Sequence, residues 1–339
     1  MNVEVSSSGA VLLGNRVSCD GFRYKYPLRV QTHLHMDHMG AFDTSKGLQH
    51  IVMSEPTRDL LISKSNAELP YRSNIEAAPT GKPIRRAGVQ MLLLDSGHML
   101  GSVQVCVTLD DGLRCGYSGD FNWPLEEVIQ IDELVLDSTY GSPDSVRRFT
   151  QEEANSRLVE VVIEQMARGP VLIRAHPGTL QRALSCLSGV VKYPVVASGK
   201  ICDELRVYRR YGYSLPEVYR SDTSEAKLVL QEGQHIRLGS FYERWPTNPG
   251  VLTTIILSAY MTRMDNPVIR HSDRSFGVAL SDHADYAGTL EYVRATGAKR
   301  VLTDNTRGGH AVELALALKR ELHVDARHSQ FRPTMEWGK

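Results

Sequence analysis

Apolar residues along the chain follow two different spacings that alternate. The runs GVQMLLL (88–94), VQVCVTL (103–109) and ELVLD (133–137) have the length and composition of strands. Over residues 151–168 the apolar positions fall instead on one helical face, and Gly169-Pro170 ends that pattern as the C-terminus of a helix does. Strands that alternate with helices predict an α/β fold.

The same alternation continues through the rest of the chain, without a repeat or a low-complexity segment. Four further segments have the pattern of strands: VLIRA (171–175), TTIILS (253–258), FGVALS (276–281) and KRVLTD (299–304). Four others have helical spacing: TLQRALSCL (179–187), DELRVYRRYG (203–212), 287–297 and 309–322. The α/β interpretation therefore extends to the C-terminal region.

Composition narrows the class of protein. The chain has 339 residues, of which 42% are hydrophobic and 23% charged, as in a soluble globular protein. This length suits one large α/β domain or two linked domains. The 39 Lys and Arg residues balance 39 Asp and Glu residues, so any surface for nucleic acid must be local.

Targeting and cysteine patterns add two expectations. The N-terminal residues lack a basic region followed by a long apolar run, and no stretch approaches the roughly 18 apolar residues of a membrane span. We therefore expect a cytoplasmic protein with no membrane partner. The five cysteines include no C-x-x-C pair, which argues against both a disulfide framework and a thiolate zinc site. Any metal would be held by His and carboxylate.

The segment THLHMDHMG (32–40), which follows a short apolar run, holds most of the candidate chemistry. Within six residues it contains four candidate ligands: His33, His35, Asp37 and His38. Such polar groups at the end of a strand are costly to bury unless something binds them. Imidazole and carboxylate suit Zn²⁺ and related ions, and the H-x-H-x-D-H spacing lets alternate side chains face two adjacent ions.

Two more candidates follow predicted strands. His98 lies on a turn flanked by glycines after MLLLD (91–95), and Asp120 ends the run YSGD. Each is weak evidence alone, since an Asp at a strand end more often makes a turn or a cap. Together with the earlier segment, they complete a set that can bind two metal ions.

This ordered set resembles the metallo-β-lactamase superfamily, in which an early Asp, H-x-H-x-D-H, a later His and a later Asp follow one another. The corresponding residues are Asp20, His33, His35, Asp37, His38, His98 and Asp120. The resemblance implies an αββα sandwich. It also implies one metal ion held by three imidazoles and a second held by the remaining pair, with Asp120 bridging: His33, His35 and His98 for the first, Asp37 and His38 for the second.

Two further motifs resemble the β-CASP nuclease branch, which includes Artemis-type DNA nucleases, RNase J and the pre-mRNA 3′-end endonuclease. Asp137 lies in LDSTYG and His283 in LSDHADY. The resemblance implies a discontinuous metallo-β-lactamase domain, formed by residues 1–143 and 266–339. It also implies an inserted β-CASP-like α/β domain at residues 144–265.

One motif departs from that branch. RNA-processing members have a later strand that ends in a His ligand of the second metal ion, whereas the matching segment here is VLTDN (301–305). Asp304 or His310 would have to complete the second site. We expect Zn²⁺ in two sites, the second weaker, with Mn²⁺ as an alternative ion.

The resemblance and the residue chemistry together imply a hydrolytic mechanism. Two divalent ions can lower the pKa of a shared water, so that hydroxide attacks the phosphate. Asp37 would orient that hydroxide, and Asp20 would accept a hydrogen bond from a ligand imidazole. His283 would protonate the leaving oxygen, with Asp137 orienting the ring. The alternative role for His283 is to cap the helix that begins near Ala287.

Candidate substrate contacts lie in the predicted insert. Arg206, Arg209 and Arg210 are interleaved with tyrosines, a mixture that can pair with phosphates and stack on bases. Solvated charge on a helix face explains the same pattern equally well. Gly178 and Thr179 are a second candidate, because the free N–H groups at a helix N-terminus can bind phosphate.

Three functions are open at this point. A nuclease uses Asp137, His283 and the insert, whereas the hydrolysis of a small ester needs only the metal ligands. A non-catalytic subunit would have lost ligands, whereas six of them are present: His33, His35, Asp37, His38, His98 and Asp120. Among nucleases, the presence of Asp304 where RNA-processing members have His, and of Pro143 after the DST triplet, resembles the Artemis-type pattern, which implies a DNA 5′ exonuclease. The alternative is an exo- or endonuclease that processes RNA.

Overall fold

The chain forms two compact units. The computed structural model describes residues 1–64, 69–241, 243, 252–258 and 265–331. Unit 1 comprises Met1–Val146 and His283–Lys339, and unit 2 comprises Arg147–Asp282. Within the described residues, unit 1 contains two sheets and unit 2 contains one.

The first sheet of unit 1 contains the N-terminal strands in chain order. They are β1 (Val3–Val5), β2 (Val11–Leu13), β3 (Val17–Cys19), β4 (Leu28–Val30), β5 (His50–Ser54) and β6 (Ile75–Ala78). The first three strands pair antiparallel, and the later ones pair parallel. Helix α1 (Phe42–Leu48) packs on β5, and α2 (Glu55–Lys64) packs on β5 and β6. Short 3-10 turns lie at Met36–His38 and Leu69–Tyr71.

The second sheet of unit 1 joins the middle of the chain to its C-terminal region. Its strands are β7 (Ile84–Arg86), β8 (Val89–Asp95), β9 (Val103–Thr108), β10 (Arg114–Tyr117), β11 (Glu133–Leu136), β19 (Arg300–Thr303) and β20 (Asp325–His328). Their spatial order is β20-β19-β11-β10-β9-β8-β7, with parallel pairing from β10 to β20. Helices α7 (Tyr286–Thr296) and α8 (Ala311–Leu322) belong to the same unit.

Side chains alternate between the two faces of the second sheet. Leu93 of β8 lies in a buried cluster with residues of the first sheet such as Leu13, whereas the adjacent Leu94 lies in a cluster with Leu290 of α7 and Leu318 of α8. This alternation is what the two-residue period of a strand dictates. Apolar burial on both faces stabilises unit 1, by about 25 cal/mol for each Å² removed from water.

Unit 2 is built on a third sheet. Its strands are β12 (Val171–Ala175), β13 (Val195–Ala197), β14 (Val218–Arg220), β15 (Ile236–Ser240), β16 (Thr253–Leu257), β17 (Val268–Ser272) and β18 (Ser275–Val278). The order is β14-β13-β15-β12-β16-β18-β17, and only β17 pairs antiparallel among these described strands. The helices are α3 (Gln151–Met166), α4 (Thr179–Leu187), α5 (Gly199–Arg210) and α6 (Ser224–Gln231).

Helix α3 shows how closely the periodicity predicted these elements. Its predicted inward positions are all buried: Ala154, Leu158, Val161, Val162 and Met166. At its start, the Thr150 hydroxyl accepts from the Glu153 N–H while the Glu153 carboxylate accepts from the Thr150 N–H, which is a capping box. No helix among the described residues is long and apolar enough to cross a membrane.

The predicted insert differs from unit 2 at its C-terminal end. Strand β18 pairs in parallel with β16 and antiparallel with β17, so both late strands belong to the third sheet. The division between the units falls after Asp282, directly before His283. The predicted insert, residues 144–265, ends before β17 and β18, whereas unit 2 includes both strands; its assignment as a β-CASP-like domain stays a prediction.

Candidate metal centre

The predicted ligand segment begins directly after β4. His33 is buried there, and the 3-10 turn Met36–His38 follows His35. The turn brings the His38 ring to 4.0 Å from the His33 ring, and the His35 ring lies 4.8 Å from it. The motif therefore folds into a compact group of three imidazoles.

His98 is positioned by the loop between β8 and β9. The Ser102 hydroxyl accepts from the N–H groups of His98 and Met99, at 3.2 and 3.1 Å. Gly101 has a φ of +82°, and a Cβ at that position would lie 2.6 Å from the Thr57 nitrogen. Only glycine fits this close approach, which is why the turn carries it.

Asp120 is positioned by the loop after β10. The Ser96 hydroxyl donates to the Asp120 carbonyl at 2.8 Å. The preceding Gly119 has a φ of +57°, and a Cβ there would lie 2.9 Å from the Val103 carbonyl oxygen. These contacts position the backbone at Asp120, a residue that is 7% exposed.

The carboxylate of Asp120 lies among imidazole nitrogens. Its oxygens are 3.2 Å from His38 Nε2, 3.5 Å from His33 Nε2 and 3.7 Å from His98 Nε2. One ligand atom each from His33, His35, His98 and Asp120 lie within 4.8 Å of one another. Three imidazoles and a carboxylate form a donor set suited to Zn²⁺ and similar ions.

Two buried nitrogens test whether a metal ion fits. His33 Nε2 and His38 Nε2 have no hydrogen-bond partner among the residues that the structure describes. Leaving such a group unpaired costs about 1–3 kcal/mol. A cation bound at these nitrogens and at Asp120 would satisfy both, so the residues present fit a divalent ion.

Asp20 lies behind the ligand His38. Its Oδ2 is 2.7 Å from His38 Nδ1, and its oxygens also accept from the Thr32 N–H at 2.8 Å, the Thr32 hydroxyl at 2.5 Å and the Gln31 amide at 3.2 Å. Because these bonds occupy the carboxylate, it orients His38 so that Nε2 faces Asp120. The structure thus places Asp20 against the Nδ1 side of His38.

Negative charge dominates the cluster. Burial lowers the pKa of His38, but the charges of Asp120, Asp37 and Asp20 outweigh it and raise the pKa to about 10. Burial opposes ionisation of Asp120, yet the neighbouring His38 and His33 hold its pKa well below the ordinary value. The surrounding carboxylates therefore favour positive charge at this position, which a bound cation would supply.

Asp137 and His283 form a hydrogen-bonded pair beside the cluster. His283 Nδ1 lies 3.1 Å from Asp137 Oδ2, and His283 Nε2 lies 3.8 Å from Asp120 Oδ2. Asp137 also accepts from the N–H and the hydroxyl of Thr139, at 2.9 and 2.7 Å. The His283 ring further contacts the His98 ring, 4.5 Å away. The pair can therefore deliver a proton at the edge of the metal centre.

The alternative role of His283, as a helix cap, is wrong. The residue at the N-cap of α7 is Asp285, whose side chain accepts from the Gly288 N–H at 2.8 Å. Asp is a preferred N-cap residue, and it leaves no capping role for His283.

Three predicted metal residues lie outside the two groups of candidate ligands, which are His33, His35, His98 and Asp120 and, separately, Asp20, His33 and His38. Asp37 is 3.6 Å from His38 Nε2, and its side chain is 29% exposed. Asp304 is ion-paired with Arg307, and His310 lies 3.4 Å from Glu313 at the exposed start of α8. The structure therefore gives neither Asp304 nor His310 a place as the last ligand of a second ion.

Arg307 is the residue of this region that sequence reasoning missed. Its side chain is 10% exposed, and its Nε has no partner within the described part of the chain. The position follows β19 by four residues, in a stretch with no helical or strand periodicity. No spacing rule identifies an arginine in such a loop.

The predicted nucleic-acid contacts are engaged locally. Arg206 pairs with Asp203 at 2.9 Å, and Arg209 donates to the Pro216 carbonyl; both, like Arg210, are exposed on α5. This geometry is that of an ordinary solvated helix face.

The predicted phosphate position at the start of α4 is occupied by protein groups. The Gly178 N–H donates to the Gln181 side chain at 2.7 Å, and the Thr179 hydroxyl donates to Asp282 at 2.7 Å. The Asp282 carboxylate would repel a phosphate there. The geometry therefore argues against Gly178 and Thr179 as a phosphate site.

Fold and site define a mixed α/β protein with a His/Asp cluster that can bind a metal ion. No family model matches the chain. Over 302 residues it is 26% identical to transcription termination factor FttA of Thermococcus kodakarensis, covering 78% of this chain and 43% of FttA. It is 24% identical to an RNase J-like protein of Methanocaldococcus jannaschii, covering 54% of this chain and 49% of that protein.

Two other comparisons extend the picture. The chain is 26% identical over 300 residues to a probable DNA ligase of Opitutus terrae, covering 85% of this chain and 27% of that protein. Its fold is similar to a crystal structure of a protein of unknown function from Enterococcus faecalis V583, with a TM-score of 0.57 and 11% identity over 81% of this chain and 74% of that one. These relatives, at 24–26% identity, support a relationship of this chain to the β-CASP nucleases of the metallo-β-lactamase superfamily. The chain spans less than half the length of the three named relatives.

Proposed function

We propose that this protein is a metal-dependent nuclease that hydrolyses phosphodiester bonds. The observation that carries the proposal is the Asp137–His283 pair, whose outer nitrogen lies 3.8 Å from Asp120. When a phosphodiester bond of nucleic acid is hydrolysed, the leaving sugar oxygen departs as an alkoxide. That oxygen needs a proton from a positioned acid. Hydrolysis of a small activated ester does not need that acid, so the pair favours a nuclease.

The finer architecture belongs to the same proposal. Unit 1 would be the metallo-β-lactamase αββα sandwich, and unit 2 would be the inserted β-CASP domain. The shared core of the two sheets in unit 1, and the interruption of that unit between Val146 and His283, support this assignment.

The metal centre would be formed by residues that already face one another. The tight position would use three imidazoles and one carboxylate: His33, His35, His98 and Asp120. Zn²⁺ or Mn²⁺ bound there would act as a Lewis acid that lowers the pKa of water and neutralises charge on the phosphate.

Side chains of the protein would orient the attacking water and protonate the leaving oxygen. Asp37 has 29% of its side chain exposed and faces His38, so it can accept a hydrogen bond from the attacking water and orient it. Asp137 accepts from His283 Nδ1–H and thereby leaves Nε2–H of the protonated ring as the donor to the leaving oxygen. After this transfer the neutral ring keeps its hydrogen bond to Asp137.

RNA is the substrate that the relatives support better. FttA is a transcription termination factor and the second relative is RNase J-like, which favours RNA processing over the DNA preference expected from Asp304 and Pro143. DNA is the second candidate, because the alignment to a probable DNA ligase covers 85% of this chain. Hydrolysis at phosphorus does not require a 2′-OH, so the reacting groups serve either substrate.

One experiment separates these functions. The full chain, loaded with Zn²⁺ or Mn²⁺, is incubated with end-labelled RNA and DNA oligonucleotides of the same sequence, and with a p-nitrophenyl ester. We expect RNA to be shortened, the activity to be lost with a chelator, and Zn²⁺ or Mn²⁺ to restore it. Cleavage of DNA alone would select the second candidate. Ester hydrolysis without cleavage of either oligonucleotide would show that the nuclease proposal is wrong.

A further inference from the structure

Arg307 is a buried cation that the proposed mechanism does not use. One terminal nitrogen is ion-paired with Asp304, and the other donates to the Gly9 carbonyl at 2.7 Å. Asp304 is itself held by the N–H and the hydroxyl of Thr306, at 2.8 and 2.6 Å. The guanidinium is therefore fixed from two sides.

Both anchors of this arginine lie close to the metal centre. The Asp304 N–H donates at 2.9 Å to the carbonyl of Leu136, the residue before Asp137. Gly9 lies in the β1–β2 loop. Gly40 lies close both to this loop and to Asp20, because a Cβ placed on Gly40 would be 3.7 Å from the Ser8 carbonyl oxygen and 3.7 Å from the Asp20 carbonyl oxygen. The arginine thus connects the end of β19 to the side of the centre that contains Asp20.

The ion pair with Asp304 places a buried cation beside the residue that the sequence offered as the last ligand of a second ion. Burial lowers the pKa of Arg307, but Tyr117 and the carboxylates of Asp304, Asp20 and Asp37 keep it well above the ordinary value. Asp304 is therefore already paired with a permanent cation.

We propose that Arg307, locked by Asp304, takes the place of the second metal ion, so that the chain binds one divalent ion tightly. The inference rests on the metal centre of the proposed function. The guanidinium repels a second cation, and its ion pair removes Asp304, the ligand that the sequence offered for that ion. The tight ion is the one held by His33, His35, His98 and Asp120.

Metal stoichiometry tests this proposal without reference to activity. The metal-free full chain is titrated with Zn²⁺ in a calorimeter, and bound ions are counted by elemental analysis after gel filtration. We expect one tight ion in the wild type. In the double variant Asp304→His with Arg307→Met we expect two, with the affinity of the second site raised at least about tenfold, the size of effect usual for groups beside metal ligands.

The matched control is Arg300→Met, at the opposite end of β19. Arg300 is ion-paired with the buried Glu133, so its loss disturbs the same strand without changing charge at the centre. The control should keep one ion. Arg307→Lys keeps the positive charge and should also keep one ion.

The number of ions bound per chain decides whether the proposal holds. Two tight ions in the wild type, or one in a folded double variant, would overturn the proposal. If the double variant fails to fold, as circular dichroism would show, the wild-type count alone decides between one ion and two. No bound ion in the wild type would overturn the metal centre and this inference together. Absence of nuclease activity with one bound ion would contradict the proposed function alone.

Discussion

His283 joins two parts of the site through its two ring nitrogens. Nδ1 is committed to Asp137, which two groups of Thr139 hold in place. Nε2, the other ring nitrogen, lies 3.8 Å from Asp120 Oδ2. Because the carboxylate holds one nitrogen, the other is the atom from which a proton can leave.

Replacing His283 by Ala should reduce cleavage of the preferred oligonucleotide by roughly two to four orders of magnitude, the usual contribution of a general acid. The variant should keep its fold and its metal, because no predicted ligand is removed. Cleavage rates measured beside elemental analysis would check both parts.

Two comparison variants give that result its meaning. His98→Ala removes a proposed ligand and should lose the tight ion together with the rate. Asp285→Ala removes the N-cap of α7, two residues from His283, and should reduce stability by about 1 kcal/mol with little effect on the rate per folded molecule. Full activity in His283→Ala would exclude the proton-donor role.

The candidate ligand residues could be predicted to lie together because spacing identifies them. Three His and one Asp in the segment 33–38 have few roles other than metal binding, and their order relative to His98 and Asp120 is specific. Arg307 could not be predicted, because its importance depends on the buried Asp304 and on Gly9, which is 298 residues away along the chain. Sequence spacing carries no information on such a contact.

At the scale of elements, periodicity predicted the long helices and strands better than the short strands. Helix α3 has enough turns for its apolar face to be recognised, and β8 and β9 are long enough to show strand composition. The strands β1 to β4 have three residues each, which is too few to establish a period of two. Their pairing depends on partners in the sheet.

The capping box of α3 allows a prediction at this scale. Thr150→Ala removes the acceptor of the Glu153 N–H and should lower the free energy of unfolding of unit 2 by about 1 kcal/mol. Thr150→Ser keeps the hydroxyl and is the matched control. Urea unfolding of both variants would check the difference, and equal loss in the two would show that the hydroxyl is not what matters.

At the scale of the whole molecule, the balance of charge conceals opposite local environments. The 39 basic and 39 acidic residues cancel, yet unit 1 gathers Asp20, Asp37 and Asp120 around its buried imidazoles. Unit 2 contains a buried histidine, His235, whose pKa is lowered, whereas the pKa of His38 in unit 1 is raised. His235 is 1% exposed and accepts from Arg237 Nε at 3.0 Å through its Nε2.

His235 makes the stability of unit 2 depend on pH. Burial, together with the charge of Arg237, lowers the pKa of His235 to about 4, from about 6.5 in the unfolded chain. Between these values the unfolded state binds a proton that the folded state excludes, so stability falls as the pH drops from about 6.5 to about 4. A pKa difference of this size corresponds to a loss of a few kcal/mol at the acidic end.

Replacing His235 by Gln should remove this dependence, because Gln keeps an acceptor for Arg237 and does not titrate. His271→Gln, on an exposed strand of the same unit, is the matched control and should leave the slope as in the wild type. Hydrogen exchange of unit 2 amides between pH 4 and 7 would report on this unit separately from unit 1. If the Gln variant keeps the wild-type slope, groups other than His235 cause the acid sensitivity, since the titration of a single buried imidazole is all that the substitution removes.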